Sequence, residues 1–381
     1  MQEDFHYYAT YCAAYISGYS HDESLDIAYS AQFVDQCSRT LLAKIKGPLD
    51  AATTQLQLEL MDARTDPIGL QDITRIWSAF HFLPKDLYEK KEHCNRHYLN
   101  KYRLICGPNG DLVEKTVELA KGRPLQSVGI AMHVLADTWA HSNFAGTPSL
   151  VINNTNYEFY ELFPDGDGYQ EKQIKFRHKT SVPDDLDNSI YTNSLYQSNE
   201  NSIMNLGHGR AGHLPDYSFV RYRYLPAWGD YEEIIKDNPS DYHKAFTQMI
   251  YAMKYIRGVN DSFEKNTYDT DAIEPWRDRI KNIIEKRQLL ACDDWKAFGE
   301  ELSGQEIEDF VIDKYFDEYK KSGKKEKDET FIGRFIRGAM AHKGMVIDEI
   351  SKGGNILAGI TKQFFWVKLL EGKKNDIVSK D

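Results

Sequence analysis

Residues 125–141 read Leu-Gln-Ser-Val-Gly-Ile-Ala-Met-His133-Val-Leu-Ala-Asp137-Thr-Trp-Ala-His141, and this stretch decides the fold. It follows Arg123-Pro124, and proline is well tolerated at the start of a helix. Leu125, Val128, Met132, Leu135, Ala136 and Trp139 populate more than one helical face, which predicts a central, buried helix. Steps of four residues advance about 400°, so His133, Asp137 and His141 share one stripe drifting about 40° per step. Two imidazoles and a carboxylate on one face are ligands suited to zinc. A core histidine, a capping aspartate and a surface histidine would be the plainer reading. Three polar groups on an otherwise apolar helix need a compensating partner, however, and that favours a metal.

On the N-terminal side, Ser20 and Glu23 form a capping box that opens a run through Leu25, Ala28, Ala31, Gln32 and Asp35 at helical spacing. Before it, Phe5, Tyr8, Cys12 and Tyr15 mark an apolar face, with Gly18 as a stop. Residues 145–230 change character: Asn, Asp, Gly, Ser and Tyr dominate, and Phe163-Pro-Asp-Gly-Asp-Gly168 is a strong turn signal. Helical spacing returns near Tyr231, with Ala245, Met249, Ala252 and Ile256 on one stripe. The expected fold class is therefore all-α: a compact multi-helix domain around a metal cluster, with a long irregular Tyr/Asn-rich insert. The expected organisation is a helical metal-binding catalytic domain over 1–260, including the insert 145–230, and a C-terminal helical extension over 261–381 packed on it.

Composition restricts the setting. With 381 residues and 41% hydrophobic side chains the chain can bury a sizeable core. Its 47 basic and 58 acidic residues give a net charge of −11, the opposite of the balance expected for binding duplex DNA through its phosphates. No apolar run is long enough for a membrane-spanning helix. Met1-Gln-Glu-Asp-Phe-His-Tyr-Tyr8 has neither the basic nor the apolar region of a secretory signal. The five cysteines (Cys12, Cys37, Cys94, Cys106, Cys292) are scattered, without a C-x-x-C pair. They read as reduced thiols, and the expected location is cytoplasmic.

Further ligand types lie along the chain. Asp4-x-His6 opens the first helix, Asp35 ends the second, and His81 sits in Ala79-Phe-His-Phe-Leu-Pro84. In Gly207-His-Gly-Arg-Ala-Gly-His-Leu-Pro-Asp216 three glycines permit tight turns that could bring His208, His213 and Asp216 together. With the helical triplet these supply ligands enough for two or three zinc ions. Arg210, in the same turn, could contact a phosphate oxygen or be a surface arginine. Tyr157, Tyr160, Tyr169, Tyr191, Tyr196, Tyr217, Tyr222 and Tyr224 could wall a cleft that suits an acyl chain or stacked bases.

This order of ligands resembles the zinc-dependent phospholipase C and single-strand-specific nuclease superfamily, an all-helical fold with a trinuclear zinc site. The opening Asp-x-His-Tyr-Tyr and the Ala-Gln-Phe-Val-Asp35 segment also look like a bacterial family of unknown function. The resemblance implies that Asp35, His81 and His133 hold one zinc with Asp137 bridging. It implies that Asp4 and His6 hold a second with Asp137, and that His141, Asp216 and either His208 or His213 hold a third. That superfamily normally uses the free amine of a processed N-terminal residue as its first ligand, and here Asp4 would have to substitute. The His133-x3-Asp137-x3-His141 spacing, the long Asp35–His81 gap and the His213-x2-Asp216 pair also depart from its pattern.

Clustered zinc ions activate water and neutralise phosphoryl charge, so phosphoester hydrolysis is the natural chemistry. The resemblance implies a phospholipase C-like hydrolase, a phosphodiesterase acting on a phospholipid head group or a small phosphodiester, with Asp137, Asp35 and Arg210 as catalytic residues. A single-strand nuclease of the same fold and a non-catalytic, metal-stabilised helical protein are the alternatives.

Overall fold

Burial of the 125–141 stretch organises the whole molecule. In the computed structural model, which describes residues 1–156, 158–177, 182–193 and 206–359, the helix Leu125–Ala140 is buried at every position after Leu125. It is surrounded by the helices His21–Phe33, Asp111–Ala120, Asn238–Ile256 and Phe331–Lys352, with Pro67–Phe80 alongside. The capping box at Ser20 forms as the sequence dictates: Ser20 Oγ accepts from Glu23 N–H, and the Glu23 carboxylate accepts from Ser20 N–H at 2.8 Å. Gly18, at φ +89°, ends the preceding helix Thr10–Ile16 in the left-handed region open to glycine. Before that helix the segment Asp4–Ala9 is wound as a π-helix, a geometry frequent at functional sites, and every residue in it is buried.

The expectation of an all-α fold is overturned. The chain is 51% helical and carries two sheets, so it is a mixed α/β protein. The strands are β1 (Tyr160–Asp165), β2 (Gly168–Gln173), β3 (Lys175–Arg177), β4 (Ile190–Thr192), β5 (Arg221–Tyr224) and β6 (Ile234–Asp237). One sheet is antiparallel with order β2-β1-β5-β6, and β3 pairs with β4 in parallel. Five of the six strands fall in the segment read as irregular. They are only 3–6 residues long, and their turn-rich surroundings dominate any composition window. The turn at Asp165-Gly-Asp-Gly168 is real, but it joins a hairpin, β1 to β2, with Asp165 opposite Gly168. In β5 the alternation Arg221-Tyr-Arg-Tyr224 carries the strand signal: the tyrosines point inward and the arginines outward.

Those inward residues build a second core. Tyr191, Tyr222 and Tyr224 are fully buried there with Phe82, Phe144 and Phe159. They are therefore core residues and not the cleft walls expected of the tyrosines. Tyr169 is exposed and Tyr160 lies under the Arg223 guanidinium, whereas Tyr157 and Tyr196 lie outside the described residues. The larger core runs from Met1 to Ala358 and takes in Trp295, Phe335 and Val346 from the C-terminal region. Residues 360–381 of the expected extension lie outside the described residues. None of the described helices is long and apolar enough to cross a membrane. None of the five cysteines is paired.

The central helix closely approaches its neighbour at Gly129, where a Cβ would stand 2.4 Å from Ile27 O and 2.5 Å from Ser30 Cβ. Gly129→Ala should push the helix Leu125–Ala140 off its neighbour His21–Phe33. The expected cost is about 1–3 kcal/mol, read as a lower urea midpoint with an unchanged slope. A midpoint equal to that of the parent would show that the two helices are not so closely apposed.

Candidate metal centre

Asp137 emerges from the central helix buried, and nitrogen atoms from the N-terminal segment, the His81 segment and its own helix converge on it. Its Oδ1 lies 2.9 Å from the Met1 α-amino nitrogen and 3.1 Å from His6 Nε2. Its Oδ2 lies 3.2 Å from His133 Nε2 and 3.3 Å from His81 Nδ1. Asp35 Oδ1 stands 3.7 Å from His81 Nδ1 and 3.9 Å from His133 Nε2. On the other flank, His141 Nε2 is 3.1 Å from Asp216 Oδ1, and His208 Nε2 is 3.7 Å from Asp216 Oδ2.

The ligand atoms sort into three groups, each with all members within 4.8 Å: His6–His133–Asp137, Asp35–His81–His133, and His141–His208–Asp216. Any of these could hold a metal ion.

Three of the histidines have their outer N–H fixed by a backbone carbonyl. His81 Nε2–H donates to Thr53 O at 3.0 Å, His141 Nδ1–H to His81 O at 2.7 Å, and His208 Nδ1–H to Gly212 O at 2.7 Å. Each bond sets the tautomer and leaves the other nitrogen's lone pair directed at the carboxylates, as in the outer shell of metal-ligating histidines. The glycine turn is built for this. Gly207 has φ +53° with the Phe82 ring where a Cβ would go, and Gly212 has φ +60° with Thr192 O in that position. Phe82 also stacks on His141 at 4.8 Å.

The polar atoms fit a cation better than they fit one another. Both ring nitrogens of His6 and Nδ1 of His133 are buried without a hydrogen-bond partner, although His6 Nε2 is close to Asp137. The His6 and His133 rings stack face to face at 3.8 Å, so neither can turn away. Buried nitrogen lone pairs facing carboxylates without a proton between them are costly, and a metal ion would compensate them.

Electrostatics point the same way. Burial pushes His6, His133 and His208 down to about 4, which leaves them neutral at ordinary pH. Burial opposes the charge on Asp137, but His141, the Met1 amine, His133 and His6 outweigh it and hold the carboxyl well below the usual range. Asp216 is held well below it too, since the Met1 amine, His208, His141 and His213 around it overcome its burial. Asp35 is pushed up by burial, and its side chain keeps 27% of its exposure. The Met1 amine is disfavoured by burial yet raised to about 11 by Asp137, Asp216 and Asp35. Without a metal it serves as their counter-cation.

Some expected ligands are placed elsewhere. Asp4 is turned away from Asp137: its Oδ1 accepts from Phe5 N–H at 2.8 Å and its Oδ2 from Ala291 N–H at 2.9 Å. Residues two apart on a helical turn do not face the same way, so Asp4 and His6 cannot serve one site. The Met1 amine stands in the position assigned to Asp4. It also lies 3.1 Å from Asp216 and 3.2 Å from His141 Nε2, between two of the groups. Composition and spacing carry no sign of it; the only signal was the terminal-amine ligand of the resembled superfamily. His213 approaches Asp216 at 3.4 Å but is 56% exposed and belongs to none of the three groups. Arg210 is buried, and its carbonyl accepts from Asn193 Nδ2 at 3.4 Å.

With this geometry in hand, the chain can be placed among known proteins. The model of a family of unknown function (DUF6765) matches residues 1–350, and the chain belongs to that family. No curated protein and no solved structure matches it.

Two outcomes follow from the centre. In the unfolded chain the histidines titrate near 6.5, above their folded values of about 4. Between those limits the unfolded chain binds more protons, so stability is full above about pH 6.5 and is lost as pH falls toward 4. Urea unfolding of the metal-free protein at pH 7.5, 6 and 5 should give steadily falling stabilities, and a flat profile would contradict the burial of these rings. Second, residues added before Met1 would replace the amine by an amide. Such an extension should weaken metal binding about 10–100-fold relative to a chain beginning at Met1, measured by competition with a chelator, while Asp4→Ala should leave metal content unchanged. The reverse pattern would make Asp4 the ligand.

Proposed function

We propose that the protein is a zinc-dependent phosphoester hydrolase, phospholipase C-like in chemistry, acting in the cytoplasm on a small phosphodiester or a phospholipid head group. The observation that carries this reading is the convergence of three His/Asp groups around Asp137. Two or three zinc ions held by these groups would supply activated water and neutralise phosphoryl charge. The chain supplies the rest. Asp137 orients His6, His81 and His133 toward common points. Asp35 is more accessible than Asp137 or Asp216 and is pushed up by burial, so it is suited to take a proton from the attacking water. His213 is raised chiefly by its hydrogen bond to Asp216 and is suited to give a proton to the leaving oxygen.

A pocket of about 220 Å³ beside the centre supports the choice of substrate. Gln2, Asp184, His213, Tyr217, Leu289 and Leu290 are among its lining residues, and among the described residues no lysine or arginine lines it. A strand of consecutive phosphates requires basic residues along its path. An apolar wall with one carboxylate suits a compact, partly apolar group instead. The unpaired cysteines support a reducing, cytoplasmic setting.

Metal analysis of the purified protein should find two or three zinc ions per chain, matching the three groups. Bis-p-nitrophenyl phosphate should be hydrolysed, phosphatidylcholine or a small diester should be cleaved, and single-stranded DNA should be a poor substrate. Asp137→Asn should lose metal and activity together while its far-ultraviolet circular dichroism keeps the helical signal. Full activity in that variant would remove the catalytic reading.

A further inference from the structure

A single residue, Thr53, ties two of the candidate ligands together. Thr53 is fully buried, and its C=O accepts the Nε2–H of His81 at 3.0 Å. Its own N–H donates to Cys37 O at 2.9 Å, and its Oγ1–H donates to Val34 O at 2.6 Å. Val34 and Cys37 bracket Asp35. One residue therefore anchors both the segment of a carboxylate ligand and the ring of an imidazole ligand in the Asp35–His81–His133 group.

Besides the Thr53 side chain, the loop that carries this carbonyl sets its position. Residues 49–53 follow Pro48 as a single 3₁₀ turn, Leu49–Ala51, whose last carbonyls lack partners within the turn. Lys343 supplies them: its ammonium donates to Asp50 O and, at 3.1 Å, to Ala52 O. The neighbouring side chain does the same work on the other side of His81. His342 is buried and donates Nε2–H to Ala79 O at 2.8 Å, two residues before His81. Both donors come from the long helix Phe331–Lys352, far in sequence from every ligand.

We propose that Lys343 and His342 are positioning residues for the Asp35–His81–His133 group. Together they hold the Thr53 carbonyl and the His81 backbone so that His81 keeps Nδ1 as a lone pair for a divalent cation such as zinc. This rests on the metal reading given above. Charge-assisted bonds from an ammonium to two carbonyls are stronger than neutral ones. Once they are lost the loop relaxes, the Thr53 carbonyl withdraws, and His81 is free to change ring orientation or tautomer. Partners of this outer kind are typically worth 10–100-fold in metal affinity.

The test is a cobalt(II) titration of the metal-free full chain, read by visible absorption and by competition with a chelator. Lys343→Met should weaken one bound equivalent about tenfold and alter its absorption bands, with the remaining equivalents bound as in the parent. Lys343→Arg, which still donates, should restore parental binding. Lys296→Met, which removes an ion pair to the exposed Asp309, controls for the general loss of a lysine. If Lys343→Met does not fold, Thr53→Val loosens the same carbonyl by removing its bond to Val34 and should weaken the same equivalent. Unchanged binding in a folded variant overturns the proposal, and so does uniform weakening of all equivalents in step with a lowered melting temperature. A parent chain that takes up no cobalt would remove the metal reading itself, an outcome distinct from a parent that binds and variants that bind equally well.

Discussion

The buried carboxylate of Asp137 is the constraint on which the rest depends. Taking a carboxylate out of water costs several kcal/mol, and the cost is recovered only where partners are held in good geometry. Asp137 sits buried in the last turn of the central helix, where water cannot help. The amine of Met1 and the rings of His6 and His81 must therefore be delivered to it by other segments, while His133 stands one turn earlier on the same helix. That requirement explains why the N-terminal π-helical turn is buried throughout and why the chain start packs against the centre of the molecule.

The two cores divide the work around this centre. The larger, helical core holds His6, His133 and Asp137 from behind, with Phe5 packed on Trp295 and Tyr242. The smaller aromatic core lies beneath the sheet and reaches the centre through Phe82 and Phe144, whose rings lie against His208, with Phe82 also stacked on His141. The sheet is thus the scaffold that brings the glycine turn at 207–212 to the central helix. The long helix Phe331–Lys352 packs on the central helix and bears on the centre through bonds to the backbone carbonyls of Ala79 and Ala52.

Much of this was legible locally. Three ligand-type residues four apart on an apolar helix announce a buried polar stripe, whatever surrounds it. The Ser20–Glu23 box and Gly18 bound their helices because caps and left-handed stops act over a few residues. The glycines of 207–212 signalled a tight turn for the same reason. The strands were missed because each is short and because composition over a long window is set by the turns between them. The turn signal at 163–168 does not by itself announce the hairpin it joins, and the Arg221-Tyr-Arg-Tyr224 alternation is too short to rise above that background.

The sequence by itself determined that the chain has a central helix bearing His133, Asp137 and His141, and that further histidines and aspartates were available to complete it. Which of them do so was decided by tertiary structure alone. Asp4 and His6 are two residues apart and equally plausible as ligands, yet the turn that carries them sends one to backbone donors at Ala291 and the other to Asp137. The Met1 amine is no residue type at all and becomes part of the centre only because folding buries the chain start beside three carboxylates. The carbonyls that orient His81, His141 and His208 are common to every residue of the chain, so no sequence pattern could single them out. Helical periodicity and caps are short-range and can be read from neighbours; convergence of groups more than a hundred residues apart depends on how the cores pack, and that is settled only when the whole chain has folded.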